Sequence, residues 1–263
     1  MNNLKNLGLA LIFTALISAC GGGGGGGSDA PPANAAPVET NFFAQGIYFG
    51  PATDLDGYTS PMVAIVGADG TFEAIDTSDG SVSYGVLSSS GSNSAAGDIR
   101  GLAAPGYYFP VNGQEYIDAS ISFSQSAEDG TLTGSTSYQG VTQSSFILFS
   151  MGADYDNPPS SFSAVAGTYA AYINYVDVYI AIDSQGNLTG YDDTGCQYSS
   201  KLTQAVAGKN IYSLTVNVSG CGAENGNYPG KAYFSLTDTD LYFALVAHNT
   251  TNGTGGYFRW VFP

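Results

Sequence analysis

The chain predicts an all-β protein made of two tandem small antiparallel modules, each a barrel or a sandwich. Three observations lead there. From residue 41 onward the sequence is rich in Tyr, Phe, Val, Ile, Thr, Ser and Gly in alternating patterns, with turn dipeptides at spacings of roughly 8 to 12 residues. No stretch beyond the N-terminal segment carries a helical period. The two halves of the chain also match each other in order, the signature of a duplicated unit.

Strand candidates lie at 61–66, 71–75, 119–124 and 145–150 in the first half. In the second they lie at 178–182, 187–191, 212–218, 232–236, 241–247 and 256–262. Each combines β-branched or aromatic residues with a period of two. Asp69-Gly70, Asp79-Gly80, Asp129-Gly130 and Gln185-Gly186 fall between apolar runs, where a tight hairpin needs residues that accept positive φ.

The repeat pairs Gly46-Ile47-Tyr48 with Gly167-Thr168-Tyr169, and Met62 to Ile65 with Tyr179 to Ile182. It continues through Asp69-Gly70-Thr71-Phe72 with Gln185-Gly186-Asn187-Leu188, and Tyr84 with Tyr198. Glu128-Asp129-Gly130 then pairs with Glu224-Asn225-Gly226, and Phe146 to Phe149 with Tyr242 to Leu245. In this register the first copy carries an additional Ser/Gly-rich stretch around residues 88–114, an expected loop tipped by Tyr107, Tyr108 and Phe109. The first module is assigned to 41–151 and the second to 162–263. The linker 152–161, centred on Pro158-Pro159, reads as a short stiff joint. Each module is large enough to bury its own core.

At the N-terminus Lys5 precedes the apolar run Leu7 to Leu16, and Ile17-Ser18-Ala19-Cys20 is followed by seven glycines. The apolar run is too short for a spanning helix, which needs about 20 residues. The segment resembles a bacterial lipoprotein signal. The resemblance implies removal of residues 1–19 and acylation of Cys20, and Gly21 after the cysteine implies an outer-membrane destination in a Gram-negative bacterium. Residues 20–40 then form the acylated cysteine and a Gly/Pro-rich tether with a reach of roughly 25 Å. Lipobox, tether and repeated strands together resemble, in architecture, the β-barrel surface lipoproteins of the transferrin-binding-protein and factor-H-binding type. No contact residue is carried over from them.

The resemblance also accounts for the odd cysteine count. With Cys20 acylated, Cys196 and Cys221 remain to pair in an oxidising compartment, as a structural staple of the second module alone. Loss of Lys5 with the signal takes the net charge from −16 to −17. Such a field repels phosphate backbones and anionic lipid, so nucleic acid is not an expected partner and membrane attachment falls to the lipid on Cys20.

No nucleophile elbow, zinc-protease, P-loop or dinucleotide motif is present, and the chain has one histidine, His248, at the end of a strand and expected at the surface. The Asp-rich turns match no calcium-loop spacing. No catalytic residue, metal site or cofactor is therefore assigned. The 19 tyrosines and 14 phenylalanines exceed what two small cores need. Tyr107, Tyr108, Tyr172 and Tyr175, at expected loops and strand ends, are the candidate contacts. The expected function is a non-enzymatic outer-membrane lipoprotein that binds a protein, a glycan or a small hydrophobic ligand, its surface or periplasmic orientation left open. The alternatives are an envelope assembly or maintenance factor facing the periplasm, and a glycan-acting hydrolase with carboxylates the sequence does not single out. An apolar barrel interior would favour a ligand carrier over a protein-contact face.

Overall fold

The computed structural model describes residues 42–103, 113–173, 175–236, 240–249 and 252–261. The lipobox with Cys20, the tether, Tyr107 and Tyr108 lie outside these residues.

The first module is a closed antiparallel barrel of eight strands: β1 (Gly46–Asp54), β2 (Thr59–Val66), β3 (Thr71–Asp76), β4 (Val82–Ser89), β5 (Ser94–Leu102), β6 (Tyr116–Gln125), β7 (Leu132–Tyr138) and β8 (Val141–Ser150). Each strand pairs with its neighbour in sequence, and β1 closes on β8 with Phe49 opposite Phe149. After a short helix, α1 (Gly152–Asp156), come β9 (Gly167–Ile173), β10 (Val176–Ile182), β11 (Asn187–Asp192), β12 (Gln197–Lys201), β13 (Thr203–Gln204), β14 (Tyr212–Ser219), β15 (Gly226–Leu236), β16 (Leu241–His248) and β17 (Gly253–Val261). They form a second closed barrel. β17 pairs with β9, and a seam of three residue pairs joins β12 to β14, with Tyr198 opposite Val218. Closure satisfies the edge groups that open sheets would expose.

Alternation sets which face goes inward. In β14, Tyr212, Leu214, Val216 and Val218 are buried while Ser213, Thr215, Asn217 and Ser219 are exposed, and β6 behaves alike with Ser120, Ser122 and Ser124 outside. An apolar interior with a polar exterior is the reverse of a lipid-facing barrel.

The duplication is visible in local chemistry. Tyr48 donates its hydroxyl to the Ala44 carbonyl and Tyr169 donates to the Val165 carbonyl, in each case four residues back. Leu87 N–H donates to Gly70 O at 2.8 Å and Leu202 N–H to Gly186 O at 2.9 Å. Tyr84 and Tyr198 share the matched strand but face opposite ways, the first onto His248 and the second into its own lumen, and beyond that strand the sequence register is one hairpin out. Residues 88–102 finish β4 and form β5, a full barrel strand paired with both neighbours, not an added loop. By position β5 corresponds to β14 and β8 to β17. The turns misled the matching because nearly every hairpin here uses Asp, Asn or Gly, and turn chemistry does not distinguish one hairpin from the next.

The first half of the linker is folded as α1. Tyr155 in α1 is buried, and the Tyr155 and Asp154 carbonyls accept hydrogen bonds from the Asn210 backbone and side chain. Asp154 accepts from Ser235 Oγ at 2.7 Å, and Lys209 pairs with Asp156 at 2.5 Å.

The barrels share a third apolar cluster besides their two interiors. Outward residues Ile47, Val63, Ile65 and Ile75 of the first barrel pack on Tyr233, Ala244 and Val246 of the second. Strand β2 is thus buried on both faces, with Ala64 and Val66 in its own barrel's core. The first barrel is therefore not held by its own core alone. Across the same contact Lys231 Nζ lies 3.1 Å from Glu73 Oε1 and donates to Thr71 Oγ1 at 2.7 Å. His248 stacks on Tyr84 with ring centroids 3.5 Å apart. The histidine is at its expected strand end, but half-buried between barrels rather than on an open surface.

Candidate functional site

The two lumens differ in filling. The first is occupied by Tyr48, Phe72, Phe123, Phe146 and Leu148, with Phe42 and Phe43 packed against them. The second holds a cavity of about 320 Å³ at the end where the β9–β10, β11–β12, β14–β15 and β16–β17 connections gather. Its inner wall is apolar: Ile180, Leu188, Val216, Val218, Leu245 and Phe258. Leu188 of β11 stands where β3 of the first barrel has Phe72, and the smaller side chain leaves space.

The mouth is polar and highly ordered. Asp192 ends β11 and turns its carboxylate back into the following turn. Its Oδ1 accepts from Thr194 N–H at 2.9 Å, Thr194 Oγ1 at 2.7 Å and Cys196 N–H at 3.0 Å, and its Oδ2 accepts from the Tyr198 hydroxyl at 2.6 Å. Burial pushes this carboxyl up, but the donors from Thr194, Tyr198 and Cys196 outweigh it and hold the pKa below the usual carboxylate value. Burial and the hydrogen bond to Asp192 raise the Tyr198 phenol, so it stays neutral. Tyr228 donates to the Glu224 carbonyl at 2.6 Å.

The Cys196–Cys221 disulfide forms as expected, with a Cα–Cα distance of 4.8 Å. It sits at the mouth end of the β12–β14 seam, and both cysteines line the cavity.

The first barrel completes the rim with Asp79 and Gly80 from the β3–β4 turn, Ala103 and Glu115. Two glycines permit this approach. A Cβ on Gly80, where φ is 82°, would lie 3.0 Å from Ile173 Cγ2, and one on Gly253 would lie 2.8 Å from Val82 Cβ. Burial raises the Asp79 carboxyl, partly offset by the hydrogen bonds from Ser81.

Of the candidate contacts, Tyr172 and Tyr175 stand on the β9–β10 hairpin, whose Ile173 and Val176 line the cavity. They are 64% and 79% exposed and meet edge-to-face at 6.3 Å, so they flank the mouth rather than line it. Sequence reasoning did not single out Asp192, Tyr198, Glu224 and Tyr228 as a group. Their signal was the run from Asp192 to Tyr198, which reads as ordinary turn chemistry until closure brings Glu224 and Tyr228 beside it.

Among the described residues no group of three or more His, Cys, Asp or Glu side chains is placed to hold a metal ion, and no helix is long and apolar enough to cross a membrane. Comparison with protein families, curated proteins and solved structures finds no match to this chain.

Proposed function

We propose that the chain is a lipid-anchored, non-enzymatic binding protein of a Gram-negative outer membrane, whose second barrel holds a small, largely apolar ligand. The observation that carries the reading is the apolar lumen of about 320 Å³ under a polar mouth. Eight-stranded barrels are wide enough to hold one small ligand when their side chains do not fill them. An apolar cavity of about 150 Å³ takes a benzene-sized molecule, and this one is roughly twice that. The anchor rests on the resemblance of Ile17-Ser18-Ala19-Cys20 to a lipobox, with the tether holding the barrels clear of the headgroups.

Asp79 and Asp192 shift in opposite directions, the pattern of an acid–base pair. Both oxygens of Asp192 are taken up by donors of its own turn and by Tyr198, however, which makes it a structural acceptor rather than a nucleophile or base.

The test is titration of residues 21–263, exported with an ordinary secretory signal so that the disulfide forms without acylation, against an uncharged naphthalene fluorophore. Saturable binding at one site, lost on filling the lumen by Val216→Trp or Val218→Phe with unchanged circular dichroism, is the expected result. No saturable binding, or equal binding by the filled variants, rejects the carrier. Retention of a Cys20→Ser protein in the membrane fraction rejects the anchor.

A further inference from the structure

The hydrogen-bond polarity of the mouth narrows the ligand class. Among the described residues, each hydroxyl that lines it gives its proton to a protein acceptor: Thr194 and Tyr198 to the Asp192 carboxylate, and Tyr228 to the Glu224 carbonyl. The remaining acidic groups on the rim are Asp79, Glu115 and Glu224, and no Lys, Arg or His is among the described residues of the lining. A carboxylate accepts through two oxygens with about four lone-pair sites. Asp79 accepts from Ser81, its N–H at 2.7 Å, and its two oxygens leave capacity to accept more. The one side-chain amide in the described lining, Asn252, hydrogen-bonds Tyr228; otherwise the mouth offers acceptors and negative charge, while the wall behind it offers hydrocarbon and ring surface.

We propose that the second lumen takes a small amphipathic amine, its apolar body against Ile180, Leu188, Val216 and Phe258 and its protonated nitrogen at the mouth. The site is the cavity; the carboxylates set the sign of the head group. An ammonium supplies three donors and no acceptor, which complements a mouth whose hydroxyl protons are spent. A carboxylate head would meet like charge from both barrels, and an alcohol would gain hydrogen bonds without the charge. Because Asp79 and Glu115 come from the first barrel, the head-group end of the site is a property of the pair of barrels and not of the second alone. This inference rests on the carrier reading above.

The experiment compares octylamine, octan-1-ol and octanoate, equal in chain length and different in head group, as competitors of the naphthalene probe on residues 21–263. The expected order is amine, alcohol, carboxylate, with the amine about tenfold or more tighter than the alcohol at low salt. That margin should shrink at 0.5 M salt, because the rim charges are reached by solvent. In the Asp79→Asn/Glu115→Gln/Glu224→Gln variant the amine should fall to the level of the alcohol while the alcohol is unchanged, which shows that the lumen is intact. If the alcohol is lost as well, the variant has lost the cavity, and the head-group order and salt response of the unaltered chain decide. Equal binding of all three, or tightest binding of octanoate, overturns the amine and leaves an apolar carrier standing. Binding of none overturns the carrier itself.

Discussion

At the residue scale, the contact between the barrels gathers the groups whose titration matters most for stability. Burial lowers the His248 pKa from 6.5 to about 4, against the Tyr84 ring, with Lys231 adding to the effect. The unfolded chain therefore takes up a proton as pH falls through 6.5, and the folded chain does so only near 4. The stability this histidine contributes is complete above pH 6.5 and is lost between 6.5 and 4. After allowance for solvent at the half-buried ring, roughly 1–2 kcal/mol is at stake. Urea unfolding at pH 7.5 and 5 should show that loss in the parent and not in His248→Phe. The difference between the two is the quantity to read, because burial raises the Glu73 carboxyl, which favours folding in the opposite direction as pH falls. The Lys231–Glu73 pair gives a second measurement. Lys231→Met alone leaves a buried carboxylate without its cation and should cost about 3 kcal/mol. Lys231→Met with Glu73→Leu should recover most of it, since apolar replacements of a buried pair are often neutral.

At the element scale, the seam between β12 and β14 is short, with three residue pairs and the two-residue β13 beside it. The disulfide closes a loop across that seam, worth about 3–4 kcal/mol in the chain-entropy account. Cys196→Ser/Cys221→Ser should lose that much in urea unfolding and should raise hydrogen exchange first at Gln197 to Ser199. Unchanged exchange there would locate the seam's stability elsewhere.

Much of this scale was legible before any coordinates. The strands around Leu188 and Val216 declare themselves through β-branched and aromatic alternation and those around Val63 and Phe243 through apolar runs, and the cysteine pairing followed from the resemblance that assigns Cys20 to a lipid. Strands β1, β4, β5, β7, β9 and β12 were not proposed, because Gly, Ser and Ala dilute the alternation; Ser94–Leu102, for example, carries Ala95, Ala96, Gly97 and Gly101. The hairpin slip between the repeats has the same origin in repeated Asp/Asn-Gly turns. The cavity was illegible because it depends on which side chains converge after closure: Ile180, Leu188, Val216 and Leu245 sit on four different strands.

At the scale of the whole molecule, the two barrels behave as one apolar body. The runs Met62 to Val66 and Leu241 to Ala247 are continuous rather than alternating. Strands buried on both faces read that way, and this was the overlooked sign that the modules dock. Ile65 is fully buried, whereas Ile147, also directed outward on the first barrel, is 46% exposed. Calorimetry should accordingly show one cooperative transition for the parent chain. Ile65→Asp should separate it into two, and Ile147→Asp should leave one. Two transitions in the parent would mean the barrels unfold independently. Docking also explains how a rim on one module comes to govern a lumen in the other.

The account depends most on that lumen being a binding site, and methyl NMR tests it residue by residue. On titration of residues 21–263 with octylamine, the methyl signals of Ile180, Leu188, Val216, Val218 and Leu245 should shift together and saturate. Those of Val66, Leu87, Ile99 and Leu148 in the filled first lumen should stay in place. Absence of shifts in the second lumen, or shifts confined to exposed methyls such as those of Ile147 and Val86, would contradict it.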